Sequence, residues 1–152
     1  MKNNNDLFYT CSLIEYIGRA KKQKRSYVVA ALGEKNLKQI YSYADVFHCE
    51  PIANTAGEFM ETCGIEEGSF DNVAACKYEV PDYWTIGEVY ARLIEDSLPK
   101  ETLPNETDVI VSKLIEVYSS WMDEAIQNYN TDFFYQPREY IAACFKEGSV
   151  LE

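Results

Sequence analysis

The sequence has no long apolar run. Its longest are a few residues, such as Tyr27 to Leu32, against the roughly 18–20 that a bilayer-spanning helix needs, which excludes a transmembrane helix and predicts no membrane partner. It has no Cys-x-x-Cys pair. The five cysteines, Cys11, Cys49, Cys63, Cys76 and Cys144, are odd in number and widely spaced, so they read as reduced thiols of a cytoplasmic protein rather than a disulfide framework. With seven Gly and five Pro in 152 residues, the chain is neither a linker nor a low-complexity segment. The residues after Met1 lead into an amphipathic segment without a small-residue cleavage site, so export is not expected. None of the glycine-rich nucleotide-binding patterns, the nucleophile elbow or the Glu-x-x-His metal motif occurs, and no cofactor is expected.

What is present is an uneven distribution of charge. Residues 1–38 carry eight Lys/Arg against three Asp/Glu, a net of +5, and the remaining 114 residues carry six against 22, a net of −16. Most of the positive excess lies in one short run, Arg19, Lys21, Lys22, Lys24 and Arg25. Such segregation bears on partners and solubility rather than fold. The 47% hydrophobic and 14% aromatic content suits a folded chain, and a chain of this size buries roughly 70% of its unfolded surface as one domain.

Apolar positions recur at three-to-four spacing in most segments, the period of a helix. Leu7, Cys11, Leu13, Ile14 and Ile17 predict a helix over 6–20, with Glu15 and Arg19 on its solvent face. Ser26 is placed to cap a short helix over 27–32, ended by Gly33 in a positive-φ conformation. Further helices are predicted over 34–48 and over 51–63, where Pro51 opens the segment. Residues 64–72 read as a loop, and 73–80 are open between a helical turn and an extended piece. Thr85 and Glu88 fit a capping box for a helix running to Leu98. The longest periodic run predicts one helix over 106–128, and Pro137 opens a last helix through Phe145, closed by Gly148. The expectation is an all-α, single compact domain of six or seven helices over 1–150. Leu151-Glu152 is the dipeptide a vector junction leaves and is set aside. The triplet Leu-Ile-Glu occurs at 13–15, 93–95 and 114–116 without repetition of its surroundings, so no internal duplication is inferred.

Three features are candidates for function. The basic run Arg19, Lys21, Lys22, Lys24, Arg25 lies between two helices, where it reads as a partner-binding patch, a solvated turn, or the phosphate contacts of a helix-turn-helix DNA-binding regulator. The aromatic clusters around Tyr83 and Trp84 and around Phe133, Phe134 and Tyr135 fall largely in loops, where they read as a protein interface or as lids folded back on the core. His48, the only histidine, with Cys49, Cys63 and Cys76, has the residue types for thiol or zinc chemistry but not the spacing. The acidic pairs Glu58/Glu61, Glu66/Glu67, Glu95/Asp96 and Asp123/Glu124 read as solvated faces.

The segments Leu7 to Gly18, the basic run with Ser26, Phe70 to Val73 and Val80 to Trp84 together resemble a group of small uncharacterised bacterial proteins, a domain of unknown function whose relatives sit near toxin–antitoxin or mobile-element genes. The resemblance implies a bacterial cytosolic partner protein, antitoxin-like or regulatory, and carries no functional residues. The leading expectation is a non-enzymatic, acidic helical module that binds another protein. A DNA-binding regulator and a thiol- or metal-dependent enzyme around His48 stand as alternatives, and a homodimer is expected from the opposed charges.

Overall fold

A helix buried on one side needs only a stripe of apolar residues, yet positions 9–15 near the N-terminus are buried without interruption. In the computed structural model, which describes residues 3–152, this segment lies in α1 (Asn5–Lys21), wrapped by other helices. Asn4 caps its start by accepting from the Leu7 amide at 3.0 Å, and Lys22 ends it in the left-handed conformation (φ 52°). The segment expected to show Glu15 to solvent instead buries it, along with Thr10 and Ser12. That single-face reading fails because spacing reports apolar positions and cannot see polar ones that find partners inside.

Around α1 pack α2 (Arg25–Ser42), α3 (Ala44–Phe47), α4 (Ile52–Thr62) and α6 (Tyr83–Ser97). A one-turn α5 (Asn72–Ala75) precedes α6. On the far side α7 (Thr107–Tyr118) lies against α2 and α6, α8 (Met122–Gln127) against a 3₁₀ turn (Phe133–Tyr135), and α9 (Arg138–Glu147) against α6. Among the described residues there is no strand, and a single core runs through all the helices: the domain is all-α and compact. No helix is long and apolar enough to cross a membrane.

Several boundaries differ from expectation for local reasons. Gly33 has φ 76°, ψ 164°, a backbone region open only to glycine, and kinks α2 where the sequence places a break. The helix expected to run to residue 48 stops at Ser42, and α3 follows as a separate turn. The single helix expected over 106–128 is two. Ser120 donates its hydroxyl to the Val117 carbonyl at 2.6 Å and accepts from the Met122 amide, so a side chain takes over the backbone bonds that would continue the helix. Thr85 does not cap α6; Asp82 does, accepting from the Thr85 amide at 2.7 Å, and the helix starts three residues earlier. Residues 73–80 are mixed: α5, capped by Asp71, ends at Ala75, and an irregular segment leads on to α6. Gly148 closes α9 with φ 87°, as expected. Leu151 is held against α9, its amide 3.4 Å from the Cys144 sulfur.

Candidate functional site

The most demanding residue in the chain is Glu15, whose side chain has no solvent exposure. A buried carboxylate is tolerable only if its lone pairs are met by donors. Here Arg25, also wholly buried, donates from Nε to Oε1 at 3.0 Å and from Nη2 to Oε2 at 2.8 Å, a bidentate pair. Arg19 donates from Nε to Oε2 at 2.8 Å, Gln127 from Nε2 to Oε1 at 2.8 Å, and the Tyr129 hydroxyl closes the ring on Oε2. Burial alone would push the Glu15 carboxyl up, but the Arg25 charge and hydrogen bonds, helped by Arg19 and Tyr129, hold it lowered to about 2. Arg25 reaches the carboxylate across Gly18, where a Cβ would stand 2.3 Å from Arg25 Cδ, so that position has room for no side chain.

The network continues outward. Arg25 also donates to Asn72 Oδ1 at 3.1 Å, and Asn72 donates to the Gln127 carbonyl and side chain. A second buried carboxylate, Asp123, accepts from the Tyr90 hydroxyl at 2.7 Å and from the Ser26 amide at 3.1 Å. Asp123 thus caps the start of α2 from α8, the role the sequence gives to the Ser26 side chain; burial raises its carboxyl despite those donors. Two guanidinium groups face two carboxylates, which keeps the interior close to electrically neutral.

This polar core fixes two surface segments, one that the sequence leaves open between a helical turn and an extended piece and one that it reads as a loop. Arg19 Nη2 donates to the Pro81 carbonyl at 2.7 Å, tying residues 76–82 to α1, while Tyr129, bonded to Glu15, ties down the start of 128–136. The two segments also clasp each other: the Lys77 amide donates to Asn130 Oδ1 at 2.7 Å and Asn130 Nδ2 donates to the Ala75 carbonyl at 3.1 Å. From this double anchor Tyr78 and Tyr135 project outward, 70% and 81% exposed. Beside them lies a cleft of about 640 Å³ between α6 and α9.

The structure divides both clusters of candidate residues. Within the basic run, Arg25 is sealed inside and Arg19 is turned into the network, which removes Arg25 from any surface contact. Lys21, Lys22 and Lys24 remain at the surface, Lys22 loosely opposite Glu67 at 3.9 Å. Among the aromatics, Phe133 and Phe134 belong to the core and only Tyr135 is open. Tyr83 and Trp84 are half-buried, their rings tilted against each other, with Tyr83 edge-on to Tyr16 and Trp84 tilted on Phe8. Tyr78, at the start of the aromatic cluster that runs to Trp84, is that cluster's most exposed ring. Its position before Pro81 is consistent with an irregular segment but says nothing of exposure.

His48 and the cysteines do not converge. The imidazole packs edge-on to Tyr9 and Trp84, Cys49 donates to its own turn at Asp45, and Cys63 accepts from Asn36. Among the described residues no three His, Cys, Asp or Glu side chains are grouped so as to hold a metal ion. Cys11 is buried, which pushes its thiol up to about 12 and away from the reactive thiolate. Comparison with family models, curated proteins and solved structures finds no match to this chain.

Proposed function

We propose that this protein is a non-enzymatic, acidic helical module that binds another protein, and that it binds through the face built from residues 76–82 and 128–136. The observation that carries this reading is the pair Tyr78 and Tyr135, strongly exposed on segments pinned to a buried ionic network. An exposed tyrosine on a mobile loop loses entropy when it binds. One whose backbone is already fixed loses less, and its ring offers large contact area with a polar tip. Partner contact at anchored aromatics is the usual source of binding energy in an interface. The absence of catalysis belongs to the same proposal. Glu15, the carboxylate with the largest downward shift, has both oxygens occupied by protein donors, so it has no lone pair to offer a substrate.

The test is affinity capture from the native host with the intact chain and with a Tyr78→Ser/Tyr135→Ser variant whose helical content is checked by circular dichroism. The expected outcome is a stoichiometric protein enriched by the wild type and lost with the variant. Enrichment of nothing, or of the same protein by both, overturns the reading.

A further inference from the structure

The cleft between α6 and α9 is not isolated. A second hollow of about 550 Å³ shares Glu79, Phe134 and Tyr135 with it, so the two form one channel running past Tyr78 and Tyr135. Its lining is mixed, with Val80, Pro81, Val89, Leu93, Phe134 and Ile141 as the apolar residues among charged and polar ones. The charges on its walls are unevenly satisfied. Arg92 is engaged by Glu88 at 2.9 Å, and Arg138 by Asp96 at 2.9 Å and Glu95 at 3.1 Å. Among the described residues Glu79, Asp82 and Asp132 have no such ion pair, and Asp82 uses one oxygen to cap α6. The exposed Lys77 is the nearest counterweight in sequence, which leaves the mouth negative.

We infer that this channel takes a short basic segment of the partner protein, with an arginine or lysine laid along Tyr78 and Tyr135 and apolar side chains against the apolar lining residues between. The inference rests on the protein-binding reading above and names the class of partner for it. An acidic segment would meet both these carboxylates and a chain of net charge −11. A purely apolar one would strip water from three carboxylates without replacing it. A guanidinium meets all the requirements at once, because it stacks on a tyrosine face while its edge pairs with a carboxylate. The volume is that of a site for a few side chains rather than a folded domain.

The experiment is fluorescence anisotropy with the intact chain and a fluorescein-labelled peptide of alternating arginine and leucine, against the same peptide with glutamate for arginine. The arginine peptide binds and the glutamate peptide does not. Tyr135→Ala, at a surface position that leaves the core untouched, weakens binding about tenfold, and so does Glu79→Lys with Asp132→Lys. Glu58→Lys with Glu61→Lys on α4, outside the channel, changes net charge equally and leaves binding unaltered. Equal weakening by both charge reversals means general attraction to an acidic surface and overturns the inference, as does no binding at all. Dimerisation of the unliganded chain that Tyr135→Ala abolishes, read by sedimentation, overturns it in favour of a second copy. If the peptide fails while host capture still requires Tyr78 and Tyr135, the partner class is wrong and the face stands; if capture fails too, both fall.

Discussion

Glu15 holds the interior together at the cost of depending on its partners. Removing the carboxylate leaves Arg25 charged and without solvent, the situation in which breaking a buried pair costs about 3–5 kcal/mol. Glu15→Gln is therefore expected to lower stability by that order at neutral pH, measured by urea unfolding; a change within about 0.5 kcal/mol, typical of surface substitutions, would refute the network's role. The pH dependence has a definite sign. The folded value, lowered to about 2, lies below the ordinary 4.5, so the stability from this group is complete above about pH 4.5 and is lost as pH falls towards 2. Asp123 runs the other way, since burial raises it and the folded protein takes up that proton first, offsetting part of the loss. The melting temperature of the wild type should thus fall more steeply across this range than that of Glu15→Gln. None of this was legible in the sequence. Glu15 has Arg19 one turn away, which reads as an exposed pair, while Gln127 and Tyr129 lie more than a hundred residues further on.

Between elements, α1 and α6 approach closely at Gly87. A Cβ there would stand 2.3 Å from Ser12 Oγ and 2.8 Å from the Ser12 amide nitrogen and Cα. A side chain can turn away but the backbone of the central helix cannot, so Gly87→Ala should force the helices apart, at the about 1–3 kcal/mol typical of overpacking. Ser12→Ala is the matched control. The Ser12 hydroxyl is buried without a hydrogen-bond partner among the described residues, so its removal should be neutral or stabilising by up to about 1 kcal/mol. Thermal denaturation of the two variants checks the pair, and equal losses would mean that this contact is not tight. Helix existence was legible wherever a terminator is local: Gly33 and Gly148 carry the break and the cap in their own φ. The errors arose where a remote or competing group decides. Asp123 caps α2 from α8, and the Ser120 hydroxyl interrupts a run whose apolar period continues unbroken through it.

For the molecule as a whole, sequestering Arg19 and Arg25 changes what the charge asymmetry can do. The basic patch available to a polyanion shrinks to Lys21, Lys22 and Lys24, on a chain whose residues from 39 onward carry −16. Three phosphate contacts give a salt dependence no steeper than about −3 in log K against log salt, and duplex DNA should show no binding at physiological salt in an electrophoretic shift assay. Binding with a steeper slope would restore the helix-turn-helix reading. The aromatic face was only half legible: Tyr135 could be named, but which of four neighbouring rings turns outward depends on the anchors at Pro81 and Asn130. The central position of α1 also has a consequence in time. During synthesis α1 is made before the other described helices, and Gln127 and Tyr129, which complete the shell around Glu15, follow about 5–20 s after it at ordinary elongation rates. Until then Glu15 has only Arg19 and Arg25 as partners, and the apolar residues of α1 that later helices cover stay exposed to water. The shell around Glu15 therefore closes only once residue 129 has been made.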